Sequence, residues 1–444
     1  QSGSLKDRQA EVARAYQGWD EEIRLWFYKH AEPHQRALLV AAATVPSEAT
    51  EAYVYDAASM LAEQLQVEVN GRGLSWCPVT ELRELLGASQ AHGPVTFDRS
   101  GYGDSVLRHA LANYLLARDD ILTWLAALPT GPAARHNVAN PVTEAFADLT
   151  ADYGTATAVS DAALSWSKAD LADLAFIALS RTCLHPRIGA QVRRTLYDWS
   201  VNRNTRQTLK LTIARACEPL GQTYPSVALT RLKHLATRGN PQVINEVLTT
   251  ARALLSQGHR EEVLKAAIDW CALTSRETLS DADRERRRRA GSLLFLGLAA
   301  RMGPSGLPEI LDGERLIELA DCTQGWQAVL DSHAGPGART TDMERVLYLW
   351  LDAALSDVVG QRRITAIFVE AAIRPRSPTR NRATSPPIPA ATQLMIDAAE
   401  RWSDLGPADA ARIDVEESIT IPLTRPWWRR LMKIVHLKLR RLSL

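Results

Sequence analysis

The sequence predicts an all-α protein, and three observations support this fold class. Apolar residues recur every three or four positions over most of the 444 residues, as on the buried face of an amphipathic helix. The segments with this period have the length of ordinary globular helices and are separated by short breaks. Several of them carry proline in the first turn, where its missing N–H costs no hydrogen bond: Pro186, Pro225 and Pro241.

The first 130 residues are predicted to form a small helical domain. Helices are expected over residues 11–28, 34–45, 49–65, 80–86, 104–116 and 119–128. Residues 67–74 alternate in polarity between glycines, and residues 94–97 lead into a turn, so both are candidate strands. Helices followed by a short strand and a turn are typical of a winged-helix-like domain.

Glycine, proline and an Asn-Pro pair at residues 130–141 predict a domain boundary. Helix-length segments follow at 142–153, 158–165, 168–183, 186–201, 205–217, 225–238, 241–257, 260–273, 281–302, 314–331, 341–358 and 361–373. Two-helix units of about 35–45 residues are the spacing of HEAT-type arrays. We therefore predict a HEAT-like α-solenoid over residues 131–373. A compact, non-repeating helical domain is the alternative.

The last part of the chain divides into a linker and a C-terminal region. Residues 374–389 are basic and rich in proline, which predicts an exposed linker. Residues 390–444 are predicted to contain one helix over 390–405, a short β-prone piece at residues 419–421, and a basic amphipathic tail.

Net charge is +1, but the charge is polarised along the chain. Residues 1–130 hold 11 Lys and Arg against 17 Asp and Glu, whereas residues 358–444 hold 15 against 8. An anionic partner is therefore expected at the C-terminal end. The five scattered cysteines predict buried thiols in a reducing cytoplasm rather than disulfides or a zinc site. The first residues, Gln1 to Ser4, resemble either a cloning remnant or a cut within a longer polypeptide, and on the second interpretation the native chain extends upstream of Leu5.

No motif assigns catalytic, cofactor-binding or metal-binding residues. The chain lacks GxxxxGK followed by Ser or Thr, HExxH and GxSxG, and His30 and His34 have no third ligand nearby in the sequence. No small-molecule substrate is inferred. DNA binding is disfavoured because the best candidate recognition helix, residues 80–87, carries Glu81 and Glu84 against Arg83 alone.

Two basic segments are candidate binding sites. The first is the arginine run of residues 284–289, at the start of a predicted helix, with candidate residues Arg286, Arg287, Arg288 and Arg289. Positive charge at a helix N-terminus opposes the macrodipole, and Asp281, Asp283 and Glu285 offset part of this effect. The run is expected either to form a solvated face or to contact an acidic partner or a phosphate backbone.

The second segment is the tail, residues 425–444, which contains no acid. If it is helical, its apolar residues share one side. It could cap the helical array, lie on an anionic membrane surface, or dock into a partner's groove. Its candidate contact residues are Trp427, Trp428, Arg429, Arg430, Lys433, Lys438, Arg440 and Arg441.

Two segments resemble a known class of proteins. Residues 19–44, WDEEIRLWFYKHAEPHQRALLVAAAT, are similar to the segment that follows the NTPase core of large actinobacterial STAND-like P-loop proteins. Residues 95–125, VTFDRSGYGDSVLRHALANYLLARDDILTWL, resemble their winged-helix module. The resemblance covers residues 1–370 loosely and implies a regulatory, partner-sensing region. This chain has no phosphate-loop lysine, so no catalytic residue is carried over.

These observations predict a non-enzymatic protein that senses or scaffolds a partner, as the regulatory part of a larger STAND-like NTPase. The partner is expected to be another protein, and the location cytoplasmic. The alternative is a peripheral membrane or anionic-surface binding protein that uses the basic tail.

Overall fold

A computed structural model describes residues 19–45, 47, 49–67, 77–87, 94, 95, 97, 101–271, 279–312, 319–334, 340–356, 358–373, 389–407 and 409–424. These residues are mainly helical, which confirms the all-α fold class. The one β-type pairing among them is an isolated bridge between Met302 and Pro308. The chain divides into two compact units, unit 1 (residues 1–220) and unit 2 (residues 221–444). The domain limits expected at residues 130, 373 and 389 remain predictions.

The helices of unit 1 begin with α1, residues 19–29. They continue with α2 Pro33–Ala43, α3 Glu51–Gln64, α4 Val79–Leu86, α5 Tyr102–Asn113, α6 Arg118–Ala127, a 3₁₀ turn Leu128–Thr130, α7 Pro132–Arg135, α8 Ala139–Tyr153, α9 Ala156–Lys168, α10 Ala172–Thr182 and α11 Gly189–Val201. Helix α12, Gln207–Thr223, contains the boundary between the units.

The helices of unit 2 between residues 225 and 404 follow the segments expected from the sequence, with ends that differ by up to five residues, whereas the last helix, Ala410–Thr424, has no expected counterpart. They are α13 Pro225–Arg238, α14 Pro241–Ser256, α15 Arg260–Cys271, α16 Asp281–Ala299, α17 Leu319–His333, α18 Thr341–Ala354, α19 Val358–Ala372, α20 Ala390–Asp404 and α21 Ala410–Thr424. Pro225 and Pro241 stand at the first positions of α13 and α14, as predicted.

Three segments are candidates for β structure, and the structure gives a different outcome for each. Residues 68–74 of the first candidate strand lie outside the described residues, and residues 94, 95 and 97 of the second are not in a strand. The expected β-prone piece at residues 419–421 is wrong, because these residues are helical within α21. Val415, Ile419 and Leu423 are buried at helical spacing, so packing of this face outweighs the strand preference of isoleucine and threonine.

The expected helix start at Pro186 is also wrong. Residues 186–188 form a turn, and α11 begins at Gly189. The side chain of Arg187 leaves this turn and donates hydrogen bonds to the carbonyl oxygens of Thr150, Ala151 and Gly154. Those carbonyls belong to the last turn and the C-cap of α8, where helix carbonyls commonly accept from groups outside the helix.

The core of unit 1 is fixed by tryptophans that bury their rings and donate to backbone carbonyls. Trp124 of α6 donates to Ala57 of α3 at 2.9 Å, and Trp166 of α9 donates to Ala126 of α6 at 3.1 Å. Both rings are almost fully buried. Each indole therefore combines apolar burial with a satisfied polar group, and so sets how the two helices pack.

The core of unit 2 is built around an aromatic cluster. The ring of Trp326 lies 5.3 Å from Trp350 and 5.0 Å from Phe368, in edge-to-face geometry. Helices α15 and α16 approach closely because position 291 is glycine. A Cβ at Gly291 would lie 2.8 Å from the Cβ of Trp270, closer than packing permits.

Two further findings concern the whole described chain. No described helix is both long and apolar enough to span a bilayer. The five cysteines form no disulfide, and four of them are buried.

Candidate binding site

The arginine run predicted as a binding patch lies on the first turns of α16, and two of its four candidate residues are buried. Arg287 and Arg288 are 1% and 8% exposed, whereas Arg286 and Arg289 are exposed. Arg288 forms an ion pair with Asp331 of α17. The contact expected with an acidic partner can therefore involve only Arg286 and Arg289 directly.

Two of the three acids expected to offset this run, Asp281 and Asp283, form ion pairs with its arginines. Arg284 pairs with Asp281 at 2.7 Å, and Arg286 pairs with the buried Asp283. Ser280 caps the helix by accepting a hydrogen bond from the backbone N–H of Asp283. The N-terminus of α16 is thus neutralised within the protein, which reduces what the run can offer to a partner.

The tail residues predicted as a binding surface all lie outside the described residues. They are Trp427, Trp428, Arg429, Arg430, Lys433, Lys438, Arg440 and Arg441. Their role stays a prediction.

Unit 1 contains an apolar groove of about 160 Å³, which sequence reasoning did not identify. Helices α1, α2, α3, α5 and α6 contribute to it. Its floor consists of buried aliphatic side chains and Phe27. Its more accessible lining residues are Pro33, Arg36, Leu65, Val67, Tyr114 and Ala117. We call this site the apolar groove.

Arg36 connects the helices around the apolar groove. Its guanidinium donates to the carbonyl oxygens of Phe27 and His30 at 2.7 and 2.8 Å, and so ties the end of α1 to α2. The same group lies 5.9 Å from the centroid of the Phe27 ring and 5.7 Å from that of Tyr114. These cation–π contacts hold the aromatic lining in place.

Large apolar side chains next to the apolar groove face solvent. Tyr28 is 84% exposed, Leu115 is 64% exposed and Leu116 is fully exposed. Tyr28 follows the lining residue Phe27, and the two leucines separate the lining residues Tyr114 and Ala117. Exposed apolar residues beside a concave apolar surface are a common mark of a protein-binding site.

The surroundings of the apolar groove are acidic. The described part of residues 19–127 holds twelve carboxylates and six Lys or Arg residues. The exposed Glu32, Glu63 and Asp119 each lie within two residues of a lining residue. Four of the six cations already donate to internal acceptors: Arg36, Arg83, Arg108 and Arg118.

His109 does not offset the negative charge around the apolar groove. Its ring lies 4.9 Å from Phe27, and burial lowers its pKa, an effect that Asp20 opposes. The imidazole is therefore neutral at pH 7 and adds no cation beside the apolar groove. The described residues contain no cluster of three His, Cys, Asp or Glu side chains placed to hold a metal ion.

Comparisons with protein-family models, curated proteins and solved structures give no match to this chain.

Proposed function

We propose that this chain is a partner-binding sensor scaffold, composed of a winged-helix-like module and HEAT-like helix pairs, and that it forms the regulatory part of a larger STAND-like NTPase. In unit 1, the apolar groove binds an amphipathic helix of a partner protein whose polar face is basic. The observation that carries this proposal is the apolar groove with its exposed leucine edge and acidic surroundings.

The helix contacts support a repeat-like arrangement. In unit 2, helices pack mainly against neighbours up to three positions away in the chain, as α15 does with α16 and α17 and as α19 does with α21. Helical repeats have this neighbour-limited pattern, because each pair buries its apolar face against the next pair. In unit 1, α2 packs against α3, α4 and α5, which supports one N-terminal module.

A helix is the partner that fits the apolar groove best. Helices lie on both sides of it and its lining is almost entirely apolar, which matches the mode in which an amphipathic helix inserts large side chains into a helical groove. The surrounding carboxylates would attract lysine and arginine on the partner's polar face and speed association.

The partner-binding proposal is tested with a labelled helical peptide. The peptide carries leucine at i, i+3, i+4 and i+7 and lysine elsewhere, and a scrambled peptide spreads the same leucines around the helix. Fluorescence anisotropy measures the affinity of both for the whole chain. We expect the amphipathic peptide to bind about tenfold more tightly than the scrambled one.

A matched pair of variants locates the binding site. Leu116→Lys places a charge beside the apolar groove and should weaken binding of the amphipathic peptide about tenfold. Leu405→Lys makes the same change at another exposed leucine, in unit 2, and should leave the affinity unchanged. Equal loss in both variants, or equal binding of both peptides, would exclude the apolar groove as the site.

The NTPase assignment is tested by the native reading frame upstream of Leu5. We expect an open frame that encodes a phosphate-loop lysine followed by an acidic strand. A start codon within a few codons of Leu5 would contradict the assignment and leave a free-standing helical scaffold.

A further inference from the structure

Unit 1 also contains a cleft of about 250 Å³, distinct from the apolar groove. Most of its lining surface is apolar, but polar and basic side chains line it as well, and we call it the polar cleft. It lies between the C-terminal end of α9, the end of α11 and the start of α12. Ser167 and Lys168 come from α9, Trp199 from α11, and Asn204 and Arg206 from the segment before α12. None of the described residues that line this polar cleft is an acid.

The two cations of the polar cleft differ from most arginines of unit 1. Arg108, Arg181 and Arg215 each form ion pairs with aspartates. Within the described part of the chain, neither Lys168 nor Arg206 forms an ion pair or donates a side-chain hydrogen bond. An anionic ligand would therefore not compete with an internal carboxylate for them.

The segment before α12 is held in a fixed conformation. The backbone N–H of Asn204 donates to the side-chain oxygen of Asn202 at 2.9 Å. The hydroxyl of Thr205 donates to the carbonyl oxygen of Trp199 at 2.8 Å. The ammonium of Lys210, which is 1% exposed, lies 3.4 Å from another carbonyl oxygen of this segment. The polar cleft is therefore largely formed before a ligand arrives, which lowers the entropic cost of binding.

Trp199 gives the polar cleft a flat aromatic surface. Its side chain is half-buried, and its indole N–H donates no hydrogen bond within the described residues. Five other tryptophans use this donor inside the protein: Trp26, Trp124, Trp166, Trp350 and Trp402. Trp199 thus has both a ring face and a donor accessible to a ligand.

We propose that the polar cleft binds a ring-bearing phosphomonoester of mononucleotide size. Lys168 and Arg206 bind the phosphate, assisted by the N-terminus of α12, and Trp199 stacks on the ring. The volume lies just below the roughly 300 Å³ at which pockets for drug-sized ligands begin, which fits a mononucleotide better than a dinucleotide. This site shares no lining residue with the apolar groove, so the two proposals stand or fall separately.

Isothermal titration calorimetry of the whole chain with AMP, GMP, adenosine and inorganic phosphate tests the proposal. We expect at least one of the two nucleotides to bind with a Kd below about 1 mM. Adenosine and phosphate should each bind at least about tenfold more weakly than that nucleotide, because each lacks one of the two contacts.

Single variants then assign the contacts. Lys168→Gln and Arg206→Gln should each weaken nucleotide binding about tenfold, and Trp199→Leu should weaken the nucleotide but not inorganic phosphate. Arg194→Gln removes an exposed arginine of α11 that does not line the polar cleft, and should have no effect. Circular dichroism and the unfolding midpoint verify that each variant is folded.

Three results would overturn the proposal. Absence of binding by both nucleotides up to about 1 mM excludes the site. Equal loss of nucleotide affinity in the Arg206 and Arg194 variants would show that net charge alone attracts the nucleotide. Equal affinity for AMP and inorganic phosphate would show that the ring contributes nothing to binding and that the polar cleft is a simple anion site.

Discussion

The arginines of α16 and the cations of the polar cleft show that the density of basic residues in a sequence does not predict their availability. The α16 run looks like a binding patch, yet Arg287 and Arg288 are buried and Arg288 pairs with Asp331. Lys168 and Arg206 lie far apart in the sequence and form no run, yet both line one cleft without an acid. What decides availability is which carboxylates the fold brings next to each cation.

The largest effect should follow from breaking the buried pair. Arg288→Ala removes the guanidinium that pairs with the carboxylate of Asp331, which is 4% exposed. We expect the free energy of unfolding of unit 2 to fall by about 3–5 kcal/mol. Arg289→Ala, at an exposed neighbour, should change it by less than about 0.5 kcal/mol. Urea unfolding monitored by tryptophan fluorescence measures both.

A double replacement sharpens this result. Arg288→Met combined with Asp331→Leu removes both charges and keeps apolar volume, so most of the stability lost in Arg288→Ala should return. If the two single alanine variants proved equally mild, the buried pair would contribute no more than a surface arginine, and the contrast with the polar cleft would fail.

A smaller effect concerns Cys271, which lies near Arg288. Burial raises the pKa of the Cys271 thiol to about 12, while the charge of Arg288 acts in the opposite direction. In the unfolded chain the pKa of this thiol is about 8.5. The stability that the buried, protonated thiol contributes is therefore fully present below a pH of about 8.5. The contribution is lost as pH rises from about 8.5 toward 12, because only the unfolded state then releases the proton.

Thiol labelling measures how closed this region is. With iodoacetamide at pH 8, we expect the half-exposed Cys77 to react and Cys271 to stay protected, because only an accessible thiolate reacts. Mass spectrometry of the labelled peptides gives a rate for each cysteine. Equal labelling of Cys77 and Cys271 in the folded protein would show that the α15–α16 contact opens freely.

The sequence predicts where the helices of this fold lie better than it predicts the contacts between them. Apolar spacing identifies nearly every helix, and proline marks the starts of α13 and α14 at Pro225 and Pro241. Propensity fails where packing decides, as at Ile419 to Ile421, which are helical because α21 buries one face. The helix start predicted at Pro186 is wrong for a related reason. The Arg187 side chain donates a hydrogen bond to a carbonyl oxygen at the end of α8.

The candidate sites are predictable only in part. Asp283, Arg287, Ala290 and Leu294 are buried at spacings of four, three and four, so helical periodicity alone could have identified Arg287 as an inward position. The pairing of Arg288 with Asp331 could not be anticipated, because it depends on how α16 packs against α17. The apolar groove and the polar cleft likewise exist only after several helices have packed together.

The smallest change in stability is expected for the cations of the polar cleft, in contrast to Arg288. Lys168→Gln and Arg206→Gln should each change the free energy of unfolding by less than about 0.5 kcal/mol, because neither cation has a partner to lose among the described residues. Urea unfolding without ligand measures this change. A cost above about 1 kcal/mol would mean that the residue stabilises the fold, as Arg288 does. Negligible cost together with weakened nucleotide binding would separate binding cations from structural ones within a single chain.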